Sequence, residues 1–161
     1  MRYLRSLPAD EVKSVGFLMP CHSTPWQAYL HRREWSDESH YWSLGCEPPL
    51  AGQNITDYKD QVAIFFAAPV TYLQTRFPPN VDSSFPPSAR PFSVPGALIH
   101  KNDWSHEWPQ YIVMFGALLR EPGMQDYIRG KGYTIVWDEE YGWDGDNSRQ
   151  GGVKVWKYDV S

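Results

Sequence analysis

Apolar residues recur along this chain with two different periods, and the switch between them lays out the fold. Val12 to Met19 carries a short apolar run that stops at Pro20. A run of that length, closed by turn residues, reads as a strand buried on both faces. Tyr41 to Cys46 is a second such stretch, ended by Pro48-Pro49, and Tyr111 to Leu119 is the longest continuous one. Tyr133 to Trp137 and Val153 to Tyr158 are shorter, and the last alternates in the manner of a half-buried strand. The turn-rich stretch from Asp144 to Gly152 lies between them, which predicts an antiparallel hairpin at the sheet edge.

Helical spacing appears elsewhere. Tyr58, Val62, Phe65, Phe66, Val70 and Leu73 recur at intervals of three and four after a cap region at Thr56-Asp57. Pro69 falls inside that run and predicts a kink or two consecutive helices. Met1 to Leu7 reads as the end of a helix. Pro25 to His31 reads as a short helix, with Thr24 as cap and Pro25 at the first position, where its missing N–H is not needed. Pro122 to Arg129 reads as another, stopped by Gly130 or Gly132. The segment 77–95 is rich in proline and serine and predicts a long irregular loop.

Strands alternating with helices predict an α/β fold, a three-layer sandwich around a mostly parallel sheet of about five strands with a C-terminal antiparallel hairpin. The arrangement expected is Rossmann-like or flavodoxin-like. No Gly-x-Gly-x-x-Gly follows the first strand, so nucleotide binding gains no support. The chain, 161 residues long, reads as one domain, 1–161, with enough residues for a sizeable core.

Charge and composition narrow the function classes. The formal net charge of −4 argues against nucleic acid, because phosphate binding needs a basic surface. Aromatic residues make up 16% of the chain, with eight Trp, which suits core packing and also membrane-interface or sugar-facing surfaces. No stretch approaches the ~20 apolar residues that cross a bilayer, and no signal peptide follows Met1.

Candidate chemistry concentrates where the first strand meets the first helix. The string Phe17-Leu18-Met19-Pro20-Cys21-His22-Ser23-Thr24-Pro25 is a strand, a tight turn and a helix start. In open α/β sheets ligands bind at such corners, where backbone N–H groups and the helix dipole converge. The hydroxyls of Ser23 and Thr24, with His22 as a further donor, make a candidate phosphate cradle; a plain helix cap is the structural alternative. Cys21 and Cys46 each follow a predicted strand. If those strands are parallel neighbours, the thiols sit at one end of the sheet within disulfide range; otherwise they are two unpaired thiols.

Other constellations are weaker. Cys21-His22 as an activated thiolate would need a distant base such as His100 or His106. The histidines His22, His31, His40, His100 and His106 show no tight ligand spacing, and His100, Asp103, His106 and Glu107 lack the paired spacing of a zinc site. We therefore assign no metal and no cofactor. Asp144-x-Asp146-x-Ser148 echoes a calcium loop but lacks the glycine and the distal glutamate. Asn54-Ile55-Thr56 is an N-glycosylation sequon. Gly-x-Ser-x-Gly, the commonest serine-hydrolase turn, is absent.

The string Cys21-His22-Ser23-Thr24-Pro25 resembles the C-terminal luminal region of the glycosylphosphatidylinositol (GPI) mannosyltransferases that add the third mannose. So do Leu44-Gly45-Cys46-Glu47-Pro48-Pro49, the stretch from Phe65 to Leu73, and Trp108-Pro109-Gln110-Tyr111-Ile112-Val113-Met114-Phe115-Gly116-Ala117-Leu118. The resemblance runs from about Val15 to the C-terminus. It departs where acidic residues are expected and Gln61, Val62 and Ala68 stand, and in the tail around Asp144 to Gly152.

The resemblance implies a soluble luminal domain of a multi-pass endoplasmic reticulum enzyme. Its membrane spans would lie upstream of Met1. Such an enzyme moves mannose from dolichol-phosphate-mannose to the GPI precursor in an α-1,2 linkage. Its catalytic carboxylate is expected in an early luminal loop, so no catalytic residue is assigned here. The implied partners are those two substrates and the membrane part of the same protein. The alternatives are a non-catalytic scaffold or partner-binding domain, and a stand-alone soluble α/β enzyme.

Overall fold

The computed structural model describes residues 2–23, 30, 40–46, 48–49, 51–52, 54–56, 58–88, 105–139 and 149–159. A five-stranded mixed sheet organises them. Its strands are β1 (Val15–Leu18), β2 (Tyr41–Ser43), β3 (Tyr111–Phe115), β4 (Tyr133–Glu139) and β5 (Val153–Tyr158), in the spatial order β2-β1-β3-β5-β4. β1 pairs in parallel with β2 and with β3, while β5 runs antiparallel to both β3 and β4. The returning strand of the hairpin is thus the one that joins the parallel half, and β4 is left at the edge.

Alternation along the strands splits the core into two clusters, one on each face. Val15 and Phe17 of β1, Tyr111 and Val113 of β3 and Val155 of β5 pack on one face with Leu4 of helix α1 (Arg2–Ser6) and with Leu30. Leu18, Trp42, Ile112, Met114 and Trp156 pack on the other. That second face is covered by α2 (Gln61–Ala67), α3 (Pro69–Arg76) and α4 (Met124–Gly130), through Phe65, Leu73 and Ile128 among others. A sheet covered on both faces makes β1 and β3 apolar without a break, and both are almost wholly buried.

The break at Pro69 is real. Asp60 caps α2 by accepting from the Ala63 N–H at 2.6 Å, and the helix ends at Ala68 with φ −157°. Pro69 then occupies the first turn of α3, where proline is pre-organised for helix. β3 ends earlier than its apolar run. At Gly116 the chain turns into a 3-10 segment, Gly116–Arg120, and the Gly116 N–H donates to Gly152 O at 2.8 Å. A Cβ on Gly116 would lie 2.1 Å from the Gly151 carbonyl oxygen, so the backbones meet too closely for any side chain there.

The described part of the proline-rich loop, 77–88, has no helix or strand, yet it is pinned. Trp108 Nε1–H donates to Pro78 O at 2.7 Å, Lys131 Nζ donates to Pro79 O, and Phe85 is buried. The predicted helix at 25–31, except for Leu30, and the loop residues 89–95 lie outside the described residues. Among the described residues no helix is long and apolar enough to cross a membrane.

Candidate functional site

β1 and β2 lie side by side with Val15 opposite Tyr41 and Phe17 opposite Ser43. Two parallel neighbours in register deliver their following residues to the same end of the sheet. Pro20 opens a tight turn there, in which Ser23 N–H donates to Pro20 O at 2.9 Å. Leu44 N–H still donates to Phe17 O at 3.3 Å, which carries the alignment one step past β2. Gly45 is then held by α2: its N–H donates to the buried Gln61 Oε1 at 2.6 Å, and its carbonyl accepts from Val62 N–H at 3.2 Å.

The next residue, Cys46, meets Cys21. Their sulfurs are bonded, with the Cα atoms 6.1 Å apart. Beside the bond stands His22, an exposed residue whose Nε2 lies 3.6 Å from Cys46 Sγ. A disulfide sulfur carries no hydrogen, so in this contact the ring N–H is the donor. The corner is therefore a disulfide with an imidazole against it.

Ser23, the third member of the predicted cradle, is already committed: its hydroxyl donates to Pro20 O at 2.5 Å, inside its own turn. Thr24 lies outside the described residues. The structure thus brings His22 to the disulfide and turns Ser23 back onto the loop. Gln61 was legible only as a departure from the acidic residue expected at its position; its amide is what docks α2 onto Gly45.

The thiolate alternative is corrected. A thiolate is the nucleophilic form of cysteine, and Cys21 is oxidised. Cys21, His22 and Cys46 do place one donor atom each within 4.8 Å of one another. With the sulfurs bonded to each other, neither is the deprotonated thiol that binds a metal.

His106, named above as a distant base or a member of a metal cluster, has a different setting. It is 3% exposed, and its ring stacks on Trp42 at 4.3 Å between centroids. Nε2 lies 2.9 Å from the Tyr72 hydroxyl and Nδ1 lies 3.5 Å from Ser88 Oγ. A neutral imidazole satisfies both contacts, donating through one nitrogen and accepting through the other. Burial, reinforced by the Arg76 guanidinium, pushes the His106 pKa down to about 3. The same burial raises the Tyr72 hydroxyl well above its ordinary value. This is a polar clasp closing the core against the loop. His31, His100, Asp103, Asp144 and Asp146 lie outside the described residues.

An open depression of about 480 Å³ is lined by Arg129, Gly132, Tyr133, Thr134, Ile135 and Asp159. These residues sit where β4 begins. β4 runs in the same direction as β1, so this depression lies at the opposite end of the sheet from the disulfide corner, along its far edge.

The chain is 35% identical over 96% of its length to GPI mannosyltransferase 3 of Emericella nidulans, covering 24% of that protein. By sequence it is similar to the GPI mannosyltransferase 3 proteins over nearly its whole length. Its counterpart there is a C-terminal domain. GPI mannosyltransferase 3 of Saccharomyces cerevisiae is 33% identical over 83% of the chain and 20% of its own length. GPI mannosyltransferase 3 of Yarrowia lipolytica is 42% identical over 61% of the chain and 18% of its own length. The chain therefore spans about a quarter or less of the GPI mannosyltransferase 3 proteins it matches. These relatives are, by name, glycosyltransferases. No family model matches the chain, and no solved structure matches it either.

Proposed function

We propose that this chain is a luminal C-terminal domain of a mannosyltransferase of GPI-anchor biosynthesis, placed in the endoplasmic reticulum. The enzyme transfers the third mannose from dolichol-phosphate-mannose to the GPI precursor. The observation that carries this reading is the match to GPI mannosyltransferase 3 over nearly the whole chain. The Cys21–Cys46 bond supports it, because disulfides persist in oxidising compartments such as that lumen. No residue of the domain is assigned a catalytic role. The domain seats on the membrane part of the same protein and shapes its substrate site, with the β1 corner turned toward it.

Within that reading His22 is the residue of the corner offered outward, and Ser23 with Thr24 forms the rest of the candidate phosphate contact. The test is the triple replacement of His22, Ser23 and Thr24 by alanine in the full-length enzyme. We expect mannose transfer to fall while the domain keeps its fold and its disulfide. Transfer equal to wild type sinks the assignment. It would leave the second reading, a scaffold domain with a structural corner, which the Ser23 bond to Pro20 favours.

A further inference from the structure

The connection leaving Cys46 toward α2 carries the sequon Asn54-Ile55-Thr56, and the function just proposed makes no use of it. All three residues are exposed, and Ile55 is 78% exposed. Ile55 and Trp137 are the exposed large apolar side chains among the described residues. The turn is made by Gly52 at φ +87° and by the Asn54 side chain, whose Oδ1 accepts from Thr56 N–H at 3.0 Å. None of the described residues from 51 to 56 belongs to either core cluster. Among the described residues, a group attached at this turn displaces no core side chain.

We propose that Asn54 is an N-glycosylation site whose glycan stands out from the turn between Cys46 and α2. The inference rests on the luminal placement proposed above, where a donor of the lipid-diphosphate-oligosaccharide class is met. In the transfer, Asn54 Nδ2 forms a bond to the anomeric carbon of the first sugar. The bond from that carbon to the diphosphate oxygen breaks, and the lipid diphosphate leaves with the electron pair. The Nδ2 proton is taken up by a base of the transferring enzyme.

Three features carry the assignment. The Asn54 side-chain oxygen is turned onto the peptide of Thr56, which directs the nitrogen end of the carboxamide away from that peptide. Thr56 supplies the hydroxyl at the position a sequon requires. Ile55 offers an apolar surface beside the attachment point, which the first sugar covers.

The experiment uses the full-length chain expressed in a eukaryotic secretory pathway, read by site-resolved glycopeptide mass spectrometry. Asp82→Asn provides an internal control, because it converts Asp82-Ser83-Ser84 into a sequon. That turn is exposed, and its Asp82 Oδ1 accepts from Ser84 N–H at 2.8 Å, the same local geometry. We expect an endoglycosidase-sensitive glycan on the Asn54 peptide. Asn54→Gln and Thr56→Ala should abolish it, and Thr56→Ser should retain it. A glycan on the Asp82→Asn site with a bare Asn54 peptide overturns the proposal while leaving luminal placement intact. Bare peptides at both sites overturn luminal placement, and the glycan proposal falls with it.

Discussion

Trp42 lies across Gly16. The two residues are partners in the β1–β2 register, and a Cβ built on Gly16 would sit 2.5 Å from Trp42 Cζ2 and 2.9 Å from a ring carbon of Pro109. The missing side chain on β1 is therefore the space that the indole fills. Trp42 in turn stacks on His106 and packs against Phe77. One absent methyl thus connects the strand next to the candidate corner with the clasp on the proline-rich loop.

Gly16→Ala should destabilise the domain by about 1–3 kcal/mol, the usual range for forcing an extra carbon into a packed core. Equilibrium urea denaturation measures it. In a Trp42→Leu background the smaller side chain leaves room, so the penalty of Gly16→Ala should drop by more than half, because contacting sites couple. Equal penalties in both backgrounds would mean that the strain lies against Pro109 instead.

The Cys21–Cys46 bond closes a segment with a sequence separation of 25. Loop-closure entropy for a segment of that size makes the bond worth roughly 3–4 kcal/mol. Cys21→Ala with Cys46→Ala should lower the unfolding free energy by that amount. A dithiol reductant should do the same to the wild type and nothing further to the double variant. A reductant effect that persists in the double variant would point to some other target.

Asp60→Ala should cost about 1 kcal/mol, the loss of one capping bond at the start of α2. The effect should be visible also at Gly45. α2 begins with Gln61, and a frayed first turn loosens the Gln61 bond to the Gly45 N–H. Hydrogen exchange at the Gly45 amide should accelerate in this variant. Protection unchanged at Gly45 would separate the cap from the corner.

Much of the architecture was legible because it rests on local period. The apolar runs ending at Pro20 and beginning at Tyr111 mark β1 and β3, and the alternation from Val153 to Tyr158 matches β5 to the residue. Pro69 divides the helical stretch as its chemistry requires. What period does not carry is spatial order. Nothing in the run from Tyr133 to Tyr158 tells that β5, not β4, pairs with β3. Nor does an apolar run reveal close backbone approach: the hydrophobicity from Gly116 to Leu119 continues, but the contact with Gly151 turns the strand aside. At the corner, two cysteines after two strands were visible in advance, whereas the return of Ser23 onto Pro20 depends on a turn geometry with no pattern of its own. His106 sits in a stretch that reads as a polar loop. Its burial is a tertiary event, created by Trp42, Tyr72 and Ser88 arriving from three other segments.

That buried histidine makes stability depend on acid. In the folded chain burial and the Arg76 charge hold the His106 pKa at about 3, against an ordinary value of 6.5 for the unfolded chain. Between those two values the unfolded state binds a proton that the folded state refuses. Stability is therefore full above about pH 6.5 and is lost as pH falls toward 3, at up to ~1.4 kcal/mol per pH unit. Glu107 works in the opposite sense, since burial and the nearby Asp82 raise its pKa, so its protonation in acid favours the fold. The difference between two proteins removes such background. His106→Gln keeps an amide within reach of the Tyr72 hydroxyl but does not titrate. Its unfolding free energy should be lower than wild type at pH 7, and the gap should narrow steadily between pH 6.5 and 4.5. Parallel pH profiles for the two would mean that His106 takes up its proton in the folded state, and that the clasp is open to water.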